Sequence, residues 1–103
     1  MELLPKDLKE RLPPLRSQEA DPDPVVHAKF FLPKTNLAWY VIEGEEQKGD
    51  FVFYGLSVDD DADFCFFRLS ELRSVGTISG IKVERDPSFV SGRLTDVVPA
   101  PGF

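Results

Sequence analysis

Five positions in this chain could do chemistry by residue type and spacing: the lone His27, the lone Cys65, and the triplet Asp59, Asp61 and Asp63. The triplet has the alternating spacing that opens a calcium loop, where hard oxygen ligands surround a hard cation. The rest of that loop is missing. Phe64 stands at the sixth position, where the sharp turn needs glycine, and Ser70 at the twelfth, where a bidentate glutamate belongs. The simpler reading is an acidic turn that keeps an aromatic hairpin soluble and blunts its edge. His27 could serve as a general base, but no nucleophile or carboxylate adjoins it in sequence, so it reads as a half-buried structural histidine. Cys65 lies between Phe64 and Phe66 and beside acids; that setting disfavours a thiolate, and the residue reads as packing. Gly76-Thr77-Ile78-Ser79-Gly80 lacks the Gly-Lys-Ser/Thr ending of a phosphate loop and reads as a turn. Glu43, Glu71, Glu84 and Asp86 could serve acid–base chemistry only if two of them converged at one sheet edge. No catalytic, cofactor-binding or metal-ligating residue is therefore assigned, and no cofactor is expected.

The charge is unevenly placed. Glu43 to Asp63 holds eight acids (Glu43, Glu45, Glu46, Asp50, Asp59, Asp60, Asp61 and Asp63) against one base, Lys48, while the whole chain has a net charge of −6. These eight acids are the candidate interaction surface, and the partner they suit is a basic protein surface. The aromatic runs around them suggest base stacking, but single-strand binders set their rings beside a basic groove. Here Lys29, Lys34 and Lys48 are the sole positive residues between Asp21 and Phe67. Charge thus argues against nucleic acid. No apolar run is long enough to span a bilayer, and the N-terminal residues do not read as a signal peptide. A single cysteine fits a reducing compartment, so a cytoplasmic location is expected.

The elements that must position these residues follow from periodicity. Leu4, Leu8 and Leu12 recur at spacing four, predicting a short helix over Leu4 to Leu15 that Pro13-Pro14 stops. Asp21-Pro22-Asp23-Pro24 is a loop. Val25 to Leu32, Leu37 to Glu43, Asp50 to Leu56 and Phe64 to Arg68 read as strands, with turns at 33–36 and 57–63 and a charged loop from Gly44 to Gly49. Leu69 to Val75 reads as a helix closed by Gly76. Ile81 to Glu84 reads as a short fifth strand. Leu94 to Val98 is expected to add a helical turn, with Phe89 as an anchor. The tail, 99–103, is expected to be disordered, leaving 1–98 as a single domain.

In order along the chain stand Leu3-Leu4-Pro5-Lys6-Asp7-Leu8, Leu12-Pro13-Pro14-Leu15 and Ala28-Lys29-Phe30-Phe31-Leu32-Pro33. Then come Trp39-Tyr40-Val41-Ile42-Glu43, Phe53-Tyr54-Gly55-Leu56, Leu69-Ser70-Glu71-Leu72 and Val83-Glu84-Arg85-Asp86. This ordered set, spanning roughly residues 3 to 96, resembles a family of small bacterial proteins classed only as a domain of unknown function and often encoded on plasmids and other mobile elements. The resemblance implies a small α+β fold in a cytosolic, mobile-element setting. It brings no activity and no site residue. The family pattern tends to carry a glycine in the turn before the Leu-Ser-Glu-Leu helix; Asp59 to Asp63 holds none.

The fold expected is α+β: a mainly antiparallel four- to five-stranded sheet, near sequential order, with short helices packed on one face. The expected core is Leu8, Leu12, Val26, Phe30, Trp39, Val41, Phe53, Leu56, Phe66, Leu69, Leu72 and Ile81. If the helices cover one face, surplus rings must lie on the other, and an exposed apolar face suits a partner. The expected function is a non-enzymatic protein-interaction module, extending to DNA-mimic-like charge mimicry in a mobile element. The alternatives are a carboxylate- or metal-dependent enzyme and a single-stranded nucleic-acid binder.

Overall fold

Alternating aromatic and aliphatic residues make half-buried strands, and joining such strands by short turns makes an antiparallel meander. In the computed structural model, which describes residues 2–98, the elements run α1 (Lys6–Arg11), β1 (Val25–Val26), β2 (Ala28–Phe31), β3 (Ala38–Gln47), β4 (Asp50–Val58) and β5 (Ala62–Arg68). They continue with α2 (Leu69–Ser79), β6 (Glu84–Arg85), β7 (Gly92–Arg93) and α3 (Leu94–Val97). The main sheet has the order β5-β4-β3-β2-β6 with every pairing antiparallel; β1 and β7 form a separate two-stranded ribbon. The fold is the α+β class that the patterning implies. The tail at 99–103 lies outside the described residues.

The sheet buries both faces, unequally. On one face Phe30, Trp39, Val41, Phe51, Phe53 and Phe67 pack under Leu8 from α1, Leu12 just after it, and Leu69 and Leu72 from α2. Phe53 is the hub of this layer, edge-on to Phe30 at 5.5 Å and stacked on Phe67 at 5.4 Å. On the other face Ala38, Tyr40, Ile42 and Leu56 pack under Val26, Leu94 and Val98. Half-buried Phe89 closes on Tyr40 at 6.3 Å, the anchoring role expected of it. This second cover reaches the β2–β3 side and leaves the β4–β5 side open.

Several expectations need correction. The charged segment after Glu43 is strand, not loop: β3 runs on to Gln47, and the hairpin turn is only Lys48-Gly49. Both turn residues have positive φ, 50° and 82°, the left-handed geometry that matches strand twist in a two-residue hairpin. The expected first strand is broken at His27 into β1 and β2, which serve different sheets. The N-terminal helix is shorter than Leu4 to Leu15 and begins after Pro5, its N-cap. Helix α2 runs past Gly76 and ends at Gly80, whose φ of 78° supplies the left-handed cap. The fifth strand lies at Glu84–Arg85, not Ile81 to Glu84, and Ile81 is half-buried at the rim of the core. Phe66, expected in the core, is 57% exposed; its neighbour Phe67 is the buried ring.

Candidate interaction surface

The site is organised by a β-bulge in β3. Val41 pairs with Gly55 and Glu43 with Tyr54, so Ile42 is the extra residue. The bulge turns Glu43 and Glu45 onto the face of Tyr54 and Val52. It also dictates glycine at position 55, where a Cβ would sit 2.0 Å from the carbonyl oxygen of Tyr40.

Glu43 is the sole buried charged residue among the described ones, 3% exposed. Its carboxylate accepts the backbone N–H of Arg16 and of Gln18, each at 2.7 Å. Arg16 has a φ of 72°, so the loop curls left-handed around the acid and aims successive amides at it. Gln18 completes the latch: its Nε2 donates to the carbonyls of Val25 and Ile42, and its Oε1 accepts from the N–H of Val25. Glu45 accepts the N–H of Leu15 at 2.8 Å, and Glu46 pairs with Lys9 at 3.1 Å. Asp50 accepts the hydroxyl and N–H of Ser70 in the first turn of α2; the Ser70 hydroxyl, then the N–H of Phe51, holds this carboxyl below the usual range. Four of the eight acids therefore hold the chain's own loops and helices.

The other four lie elsewhere. Asp59, Asp60, Asp61 and Asp63 sit at the far end of β4, nine residues and about 30 Å from Asp50 along a strand. All four are exposed, and among the described residues no side-chain hydrogen bond or ion pair engages them. The acidic segment is thus two groups, one structural and one free.

Beside the free group stands an aromatic cluster that the sheet leaves uncovered. Tyr54 on β4 is half-buried between Phe64 and Phe66 on β5, with ring centroids 6.1 Å and 5.0 Å away. Phe64 is 49% exposed and Phe66 57%. A groove of about 520 Å³ separates these rings from the latched loop, with Ile42 and Glu43 between and Arg16, Glu19 and Asp21 along the loop side. Burial and then the negative charge of Glu43 push the Tyr54 hydroxyl above its ordinary pKa, so it stays neutral and able to donate.

The remaining candidates are dispersed over the sheet, and of them, among the described residues, only His27 and Asp86 border one cavity. Burial and the Asp63 charge raise the Cys65 thiol, which keeps it from acting as a thiolate. His27 is half-buried, its backbone N–H donating to the carbonyl of Val41 at 2.8 Å. Burial, then Arg11, lowers its pKa. It borders a small cavity of about 210 Å³ with Asp7, Arg11, Arg85 and Asp86. Glu84 and Asp86 lie together at the β6 side, while Glu71 follows β5, about 19 Å away across four strand spacings, so the four carboxylates do not converge at one place. Among the described residues no group of three His, Cys, Asp or Glu side chains could hold a metal ion, and no helix is long and apolar enough to cross a membrane.

The sequence pointed to the acids and missed two things. The loop residues Arg16 and Gln18 reach Glu43 through backbone amides, which carry no residue-type signal. The exposed pair Phe64 and Phe66 beside Tyr54 was hidden because Phe64-Cys65-Phe66-Phe67 has rings at both parities, so alternation does not say which face is buried.

The family described as protein of unknown function (DUF2958) matches residues 3–97. No curated protein and no solved structure matches the chain.

Proposed function

Because the chain belongs to the DUF2958 family, whose description assigns no activity, we propose a role from its own surface: a non-enzymatic module that binds a basic protein. The observation that carries this reading is the exposed Phe64–Phe66 pair, packed against Tyr54, with four free carboxylates at the adjoining strand end. A small domain has few rings to spare for solvent, and an apolar patch rimmed by charge favours a partner of opposite charge that also brings apolar contact. Lysine or arginine side chains meet Asp59, Asp60, Asp61 and Asp63, while their aliphatic stems or flanking apolar residues cover the rings. The other four acids of the segment support the fold and lie outside the binding surface. In the bacterial, mobile-element and cytoplasmic setting that the resemblance implies, such a module would occupy a surface that otherwise meets nucleic acid.

The test is affinity capture from cells with the chain as bait, at low and moderate salt. A partner is expected whose retention falls with salt. Replacing Asp59, Asp60, Asp61 and Asp63 by Asn should release it, and so should Phe66→Ser. Replacing Glu46, an exposed acid of the structural group, by Gln should not. A partner that survives both the fourfold replacement and Phe66→Ser rules this surface out.

A further inference from the structure

We propose that two copies of this chain associate by antiparallel pairing of their β5 strands, about a twofold axis at Cys65. The two outer strands of the main sheet are unlike. Strand β6 is two residues long and charged, Glu84–Arg85, the form in which an edge resists pairing. Strand β5 is seven residues long, pairs with β4 without a bulge, and contains neither proline nor lysine. Its other side is unpaired among the described strands, and it exposes Phe64 and Phe66. Such an edge is a template for another strand.

Charge selects a second copy as the occupant. Along β5 the charge runs from the acids at 59–63 to Arg68 at the opposite end. There Glu71 accepts the Arg68 N–H and Asp50 accepts from Ser70, while the Arg68 guanidinium has no ion-pair partner among the described residues. An antiparallel copy inverts this order, so each acidic turn meets the Arg68 of the other copy. A uniformly basic strand would instead meet Arg68 with like charge. Strand length sets the register. Full overlap of residues 62–68 places Cys65 opposite Cys65, Phe64 opposite Phe66, and Ala62 opposite Arg68, each with its counterpart in the second copy. Directly opposed residues share a face, so the rings of Tyr54, Phe64 and Phe66 join their counterparts in one strip. A slip of two residues shortens the overlap and sets Phe64 against Arg68 or Asp63 against Cys65. The resulting ten-stranded sheet would present two aromatic clusters side by side, which goes beyond the basic-partner reading and does not depend on it.

Equilibrium sedimentation of the full chain, from roughly 1 to 500 µM, tests the proposal, a window suited to micromolar association. A reversible monomer–dimer equilibrium is expected. Phe66→Lys, at an exposed position, should weaken it at least tenfold. Arg68→Glu should weaken it too, as should the pair Asp60→Lys and Asp61→Lys. Combining these charge reversals should restore it, because each acid end again faces an opposite charge. Circular dichroism of each variant checks that the fold is kept. A chain that stays monomeric throughout overturns the proposal. So does a dimer indifferent to Phe66→Lys, or one in which the combined reversal is no better than either alone. Monomer that takes up a basic peptide on β5 is likewise against it.

Discussion

Glu43 shows why residue type alone misassigns an acid. In sequence it belongs to the most acidic stretch of the chain; in space it is buried, with two backbone amides on its carboxylate. Hydrogen bonds to a charged group contribute about 1.5–3 kcal/mol each, and a buried donor left without a partner costs about 1–3 kcal/mol. Glu43→Ala orphans the amides of Arg16 and Gln18 together. It should cost about 3 kcal/mol, read as a lower urea midpoint. Glu43→Gln keeps one acceptor oxygen and should lose about half as much. Replacing the exposed Asp60 by Asn should change stability by less than about 0.5 kcal/mol. Equal sensitivity at positions 43 and 60 would contradict the division of the acids into a structural and a free group.

Bulge, hairpin and helix end each depend on one backbone position. Gly55 is the sharpest, since a Cβ there falls 2.0 Å from a carbonyl oxygen that the paired strand cannot move without losing its register. Gly55→Ala should cost about 3 kcal/mol or more. At Gly49 the surroundings are open and only the φ of 82° resists a side chain, so Gly49→Ala should cost about 1 kcal/mol. Thermal melts of the two variants separate the cases, and similar losses would mean that the bulge accommodates a methyl group. The strands themselves were legible, because Phe30, Trp39, Val41 and Phe53 alternate in the period that one buried face demands. What was hidden followed from contacts distant in sequence. Gly44 to Gly49 looked like a loop because glycine and polar residues follow the apolar run; Gly44 to Gln47 stay in the ladder, where the 14–20 loop satisfies Glu43 and Glu45. Gly76 looked like a helix end, yet α2 continues through it to the Gly80 cap, and its Cβ-free side lies against Lys82 on the returning chain. The free acids of the candidate surface were legible from charge, whereas its rings depended on a parity that two adjacent phenylalanines conceal.

The molecule as a whole is one sheet with a heavy cover and a light one. The heavy cover contains both longer helices and lies over five of the six buried rings among the described residues. The light cover is β1, β7 and α3, clipped to the loop before β1. Asp23 accepts the N–H and hydroxyl of Thr95, Arg93 pairs with Asp21 at 3.1 Å, and the N–H of Leu94 donates to the carbonyl of Pro24. The bonds from Thr95 hold the Asp23 carboxyl below the usual range. Two-residue strands and a one-turn helix have almost no stability of their own. The light cover therefore depends on burying Val26, Leu94 and Val98, and should open before the sheet does. Leu94→Ala removes the anchor at its centre, a truncation that costs about 2–5 kcal/mol in a packed core. In amide hydrogen exchange it should speed exchange in β1, β7 and at Leu94 by an order of magnitude or more, while β3 and β4 keep their protection. Acceleration of all strands alike would mean that the two covers unfold as one unit. Opening confined to the light cover would bare Tyr40 and Ile42 beside the groove, so binding at Phe64 and Phe66 should respond to Leu94→Ala although Leu94 lies outside the proposed contact surface.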